Sequence, residues 1–412
     1  MGLGPSIKMT TLHHYQCPVT KALLQETAVD FAGIIVNGVS ERYDDKVFTA
    51  ARTGDIAACM GADGAIVEID GWGNHHIDFV SVIEQLGKRG IPAVGLSYIG
   101  LQGRLVCTND YVDTIIDFNK NESGYESCIV GDNNVDAYDA AKAVALMKLQ
   151  MKRRGIRLQP AAALQGARLL RKTYAVHDVR MGTSTELSQG VLTIDGTGLA
   201  QLIDKEARLR HMTVQVVRPQ ERHRFVNSNL DFMPIACKTE GALGQGETRL
   251  LTGVTVMVTG AEAVSGFQPG NIGSSQGFLD EQVKFGQAGT PREDDLILHI
   301  DFQFEDGEGR TAEGIRAAHA VADRVVDDIR QVLKAVPDEA DEVEEFYDRK
   351  RPGSPRVILV KVVSGLGNMY ETALFPREPA GLMGARYLMD TQNTPFAITP
   401  DQCLDGAIHS LL

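Results

Sequence analysis

Asp70, Asn74, His75, His76 and Asp78 fall within nine residues of one another, and Cys107 and Asn109 follow later in the chain. Carboxylate, imidazole, carboxamide and thiol groups are the side chains that acid–base and nucleophilic catalysis use. Asp70, His75 and Asp78 are therefore candidates for proton transfer, and Cys107 for a reactive thiol. Trp72 (the only tryptophan), Gly73, Asn74, His76 and Asn109 are candidates for contacting a substrate. The same cluster is also compatible with a tight strand-to-helix connection carrying solvated polar residues, and Cys107 with a small buried apolar residue. The other adjacent histidines, His13 and His14, point in different directions on any regular element, so no metal site is expected.

These residues need elements to hold them. Ala65–Ile69 has the length and branching of a buried strand, Gly71 and Gly73 free the turn after it, and Ile77, Val80, Ile83 and Leu86 recur at helical spacing. Phe31–Val36 and Ala93–Tyr98 read as further strands, Asp44–Gly61 and Asp136–Arg154 as helices, and Val112–Phe118 as a short strand. This βαβ rhythm predicts a parallel, doubly wound sheet, whose turns emerge at one carboxyl edge. The Asp70–Asp78 cluster and the loop Gly100–Asn109 should then meet there. A helix dipole at His75 and His76 would favour neutral imidazole, and Asp70 would offset this by pairing with one ring, leaving one histidine poised and the other on the surface.

Composition excludes several functions. The 412 residues are 43% hydrophobic and 23% charged, with a net charge of −13 that disfavours nucleic acid as a partner. No apolar run approaches the ~18 residues of a membrane span, and the N-terminus lacks a secretory pattern, so a cytoplasmic protein is expected. The six cysteines form no CxxC pair.

Residues 1–30 read as irregular, and residues 1–155 as the first α/β unit. Residues 156–167, around Pro160, read as a linker, and 168–412 as a second, mixed-sheet α/β unit with more antiparallel pairing. Within it Val191–Ile194, Met212–Val217, Val254–Val258, Leu296–Phe302 and Val357–Val363 read as strands, and Arg310–Leu333 as a helix. The acidic run Asp338–Glu345 reads as a solvated segment or linker, and Thr399-Pro400 as the cap of a last helix reaching Leu411.

The first part of the chain resembles the pyruvoyl-type subunits of D-proline reductase and of glycine, sarcosine and betaine reductase component B. Its residues are Gly2-x-Gly4-Pro5-Ser6, Thr10–His14, Asp63–Ile66, Asp70–Asn74 with Asp78-Phe79, Gly87–Pro92 and Val112–Ile115. Pro234–Ala236, Arg249–Gly253, Thr259-Gly260, Gly273-Ser274-Ser275-x-Gly277, Glu371, Thr394-Pro395 and Thr399-Pro400 resemble the companion domain. The resemblance implies reductive C–N bond cleavage of a small amino acid in a hetero-oligomer. A pyruvoyl carbonyl, made by self-cleavage at a precursor cysteine, would be the electron sink. A thiol- or selenol-bearing partner subunit would attack the α-carbon, and dithiols would supply electrons. Where that cysteine is expected this chain has Ser81-Val82-Ile83, leaving Ser81, two residues out of register, or Cys107 as the reactive centre. A working subunit, a non-catalytic scaffold or maturation paralogue, and an unrelated α/β small-molecule binding module all remain open.

Overall fold

The strands around residues 30–38 and 64–69 are apolar on both faces because helices cover both sides of the sheet they build. The computed structural model describes residues 10–40, 42–69, 75–97, 99–120, 122, 129–132, 134–262, 277–363 and 394–406. Residues 11–25 hold two short helices, α1 (Thr11–Tyr15) and α2 (Pro18–Gln25), where an irregular stretch was expected. Pro18 opens α2 at a position that needs no amide donor, and the Cys17 thiol caps it by accepting from Thr20 N–H.

Next come β1 (Asp30–Gly38), α3 (Tyr43–Cys59), β2 (Gly64–Ile69), α4 (His75–Lys88), β3 (Ala93–Ser97), β4 (Ile115–Asp117) and α5 (Ala137–Arg153). The loop at Gly100–Leu105 is wound into a 3₁₀ turn. A reciprocal Asp136–Asp139 capping box starts α5. Helices α3 and α4 pack on one face of the sheet, and α2 and α5 on the other.

The chain then runs through β5 (Leu164–Ala175), β6 (Asp178–Gly182), β7 (Glu186–Ser188), β8 (Val191–Asp195), β9 (Leu209–Val217), β10 (Phe225–Val226) and β11 (Ser228–Met233). It continues with β12 (Ala236–Glu240), β13 (Gly246–Thr252), β14 (Val254–Glu262), β15 (Gly277–Phe278), α6 (Leu279–Gln282), β16 (Leu296–Phe304), α7 (Ala312–Ala335) and β17 (Glu342–Lys350). Two mixed four-stranded sheets result, in the orders β11-β14-β16-β9 and β12-β13-β5-β17. Gly253 joins them: at φ +78° it passes so close to the Val176 carbonyl that any Cβ would collide. Val321, Val325 and Ile329 of α7 pack with Val256, Leu298 and Ile300 into the core of this unit.

The acidic run is exposed, as expected of a solvated segment, but it is not a linker. It leads into β17, which pairs antiparallel with β5, and Glu344 and Glu345 meet Arg171 and Arg168 across the pair.

The chain finally returns to the first sheet. β18 (Arg356–Val363) lies between β1 and β2, parallel to both, and β19 (Phe396–Ile398) adds antiparallel to β1. The order is β19-β1-β18-β2-β3-β4, so part of the 168–412 stretch completes the first unit. Residues 159–161 do not swing free: Arg351 donates to the Ala161 carbonyl (2.8 Å) and Ser354 to that of Gln159 (3.1 Å). The last helix, α8 (Pro400–Leu404), is capped by Thr399 as expected, and it ends well before Leu411. The architecture is α/β with a first sheet that is parallel except at its edge strand β19, and a mixed-sheet second unit.

Candidate functional site

All five parallel strands end at one carboxyl edge, from which the connections after β2 and β3 depart. Asp70, Trp72, Gly73 and Asn74 lie outside the described residues; His75 begins α4 immediately afterwards. Phe79, Val80, Ile83 and Leu86 anchor α4 in the core, which fixes where its first turn points.

His75 and His76 are both buried, so neither is the surface residue expected of one of them. Among the described residues no ring nitrogen of either meets a well-formed hydrogen-bond partner. Burial, aided by the Lys46 charge, drops His75 to about 3. Burial drops His76 to about 4, against a contact with the Cys107 backbone that pulls it up. Both imidazoles are neutral, and desolvation is the leading cause. The His76 ring sits 5.4 Å from that of Phe79 and so close to Gly103 that a side chain there would collide with it.

Asp78 is buried and paired with the equally buried Lys46 of α3. Burial pushes Asp78 up to about 7, although the Lys46 charge and a Ser40 backbone contact oppose it, and among the described residues its Oδ1 meets no well-formed hydrogen-bond partner. A carboxyl group in that range can give up or hold a proton near neutrality.

Cys107 follows the 3₁₀ turn, half-buried against the α3–α4 layer, and its N–H donates to the Gly103 carbonyl (3.1 Å). Burial and the Glu84 charge raise its thiol, so at neutral pH it is protonated. Asn109 ties the loop to the helix: Nδ2 donates to the Val80 carbonyl (3.1 Å), and Oδ1 accepts from Tyr111 N–H (2.9 Å). An open groove of about 480 Å³, lined by Arg104, Thr108, Asn109, Tyr111 and Arg154 among others, borders this loop. The structure thus brings His76, Gly103 and Cys107 together, with Asn109 clamping the loop and Asp78 turned toward α3.

Sequence reasoning missed Lys46, Glu68 and Lys361. Glu68 and Lys361 occupy paired positions on β2 and β18 and form a buried 2.9 Å ion pair. A charge inside each of the apolar runs 65–69 and 357–363 was the available signal. Among the described residues no cluster of three or more metal-ligating side chains occurs, and no helix is long and apolar enough to cross a membrane.

Comparison with known proteins follows the same regions. Residues 3–110 and 167–410 match the family of glycine/sarcosine/betaine reductase component B subunits. The chain is 31% identical over 245 residues to the D-proline reductase proprotein PrdA of Acetoanaerobium sticklandii, covering 59% of this chain and 39% of that protein. It is 34% identical over 94 residues to the betaine reductase complex component B subunit alpha of Peptoclostridium acidaminophilum, covering 22% and 21%. It is 28% identical over 109 residues to the glycine reductase complex component B subunits alpha and beta of A. sticklandii, covering 24% and 25%. The alignments span well under half the length of these relatives. No solved structure matches.

Proposed function

This chain belongs to the family of glycine/sarcosine/betaine reductase component B subunits, and on that premise we propose that it forms the substrate pocket of a hetero-oligomeric reductase cleaving a C–N bond of a small amino acid. The observation that carries the proposal is the pair of neutral imidazoles, His75 and His76, buried in the first turn of α4 at the carboxyl edge, with His76 against the Cys107 loop and no ring nitrogen paired among the described residues. A neutral imidazole offers one N–H donor and one acceptor, which suits an amine and a carboxylate on the same small ligand. C–N cleavage needs a proton on the departing nitrogen, and Asp78, raised to about 7 and shared with Lys46, is the group suited to deliver it. Asp70, Trp72, Gly73 and Asn74 precede α4 directly in the chain and would complete the contacts. Cys107, a protonated thiol, is assigned to the pocket wall, and the attacking thiol or selenol to a partner subunit.

A pyruvoyl group at Ser81 does not fit this chain. Ser81 lies in the interior of α4 between the buried Val80 and Val82, and cutting there would split a helix that the core holds on both sides of the break. No step is therefore assigned to such a group here. This same observation favours a second reading, a scaffold or maturation subunit with no electrophile of its own.

Dithiol-dependent turnover of D-proline, glycine, sarcosine and betaine by the reconstituted complex tests the proposal, with wild-type chain compared against Asp78→Asn and His75→Phe. Loss of turnover in folded variants supports the pocket, and full turnover in both supports the scaffold.

A further inference from the structure

A second set of reactive groups lies on the opposite face of the first sheet from Asp78. Cys17 caps α2 and Cys403 belongs to α8, yet the two thiols, 386 positions apart, are neighbours about Thr20 and interact with each other. Thr20 touches both sulfurs: its N–H donates to Cys17 Sγ (3.5 Å), and its hydroxyl lies 3.7 Å from Cys403 Sγ. Neither cysteine exceeds 1% exposure. Beneath them is the Lys361–Glu68 pair, with the Lys361 ammonium close enough to act on both sulfurs.

Two thiols in contact, over a buried ammonium, are more than inert core filling. Isolated buried cysteines act as small apolar residues and need no cation. From this arrangement we propose that Cys17 and Cys403 are a redox-active dithiol, oxidised to a disulfide by exchange with a disulfide-bearing oxidant.

The exchange balances as follows. The Cys17 thiolate attacks one sulfur of the oxidant, forming a mixed disulfide and releasing one thiol. The Cys403 thiolate then attacks Cys17 Sγ, forming the Cys17–Cys403 bond and releasing the second thiol. The protein dithiol loses two electrons, the oxidant's disulfide gains them, and the two thiol protons pass to the released thiols.

The groups around Cys17 come from every packed element: Lys361 from β18, Glu68 from β2, Thr20 and Lys21 from α2, Cys403 from α8, and His13 from α1 near the Lys361–Glu68 pair. Burial alone would push the Cys17 thiol up, but the Cys403 hydrogen bond and the Lys361 charge bring it down to about 6. Cys17, at the N-cap of α2 and accepting from Thr20 N–H, is the attacking thiolate, and Cys403 the resolving thiol. The product would tie α2, near the start of the chain, to α8, near its end.

The test uses the full chain, incubated with oxidised glutathione or oxidised dithiothreitol, quenched in acid, then denatured and alkylated. The expected product has a mass about 2 Da lower before alkylation, two fewer of the six cysteines alkylated, and a peptide joining Cys17 to Cys403, all reversed by excess dithiothreitol. Cys237→Ser should keep that peptide, whereas Cys17→Ser and Cys403→Ser should each lose it. The wild-type measurement decides the matter even if a variant fails to fold. Full alkylation of Cys17 and Cys403 after oxidation, or a disulfide confined to other cysteines, overturns the proposal.

Discussion

Lys361 and Glu68 stand side by side on adjacent parallel strands and meet at 2.9 Å, each side chain 1% exposed. Removing one member leaves the other as a buried, unpaired charge, which costs about 3–5 kcal/mol. Lys361→Met should therefore destabilise the chain by that amount in urea unfolding. The double variant Lys361→Met/Glu68→Leu should recover most of it, because no charge is then stranded. Equal losses in the single and double variants would mean that the pair contributes shape and not charge.

Acid should weaken the fold. His13, His75, His76, His299 and His319 are held at about 4, 3, 4, 4 and 3, below the ordinary 6.5. Unfolding lets each take up a proton, so their contribution is complete above pH 6.5 and is lost as pH falls toward those values. Asp78, Asp231 and Asp401, raised from 3.8 to about 7, act the other way: their contribution is present below pH 4 and is lost as pH rises through 7. The histidines outnumber the carboxyl groups, so net stability should fall between pH 6.5 and 5. Each uncompensated histidine contributes about 1 kcal/mol per pH unit. His319→Leu should flatten that slope, as read from urea midpoints across the range. A steeper slope in the variant would contradict the assignment.

Cys107 should be slow to alkylate at pH 7, with a rate still climbing at pH 9, because its thiol is raised. Gly103→Ala forces a methyl into the His76 ring and displaces the loop, at a cost of about 1–3 kcal/mol. Iodoacetamide should then reach Cys107 faster than in the wild type. An unchanged rate would separate the Cys107 loop from His76.

The purified chain should run as one species near 44.7 kDa by intact mass, since its Ser81 peptide lies inside α4. Two fragments summing to that mass, one with a carbonyl-blocked N-terminus, would restore self-cleavage.

Much of the first sheet was legible because its strands are continuous apolar runs separated by helical periods, as at Ala65–Ile69 and α4. The insertion of β18 between β1 and β2 was not: Val357–Val363 reads as a buried strand, but nothing in its own sequence says which sheet receives it. The acidic run was legible as solvated, but not as part of a strand, because its basic partners, Arg168 and Arg171, lie about 175 residues away on β5, where charge pairing is invisible to local pattern. At the site, the helix-dipole argument gave neutral histidines, but it could not foresee that burial would dominate, or that Asp78 would face Lys46 across the α3–α4 contact.

The most direct measurement is reductive C–N cleavage of D-proline, glycine, sarcosine and betaine, each offered separately to the reconstituted complex with dithiothreitol and read as the amine formed. The proposed pocket expects turnover with wild-type chain and at least a hundredfold loss (about 3 kcal/mol) with Asp78→Asn, with circular dichroism and assembly unchanged. Turnover that survives Asp78→Asn and His75→Phe, or that is unaffected when this chain is left out, would contradict it.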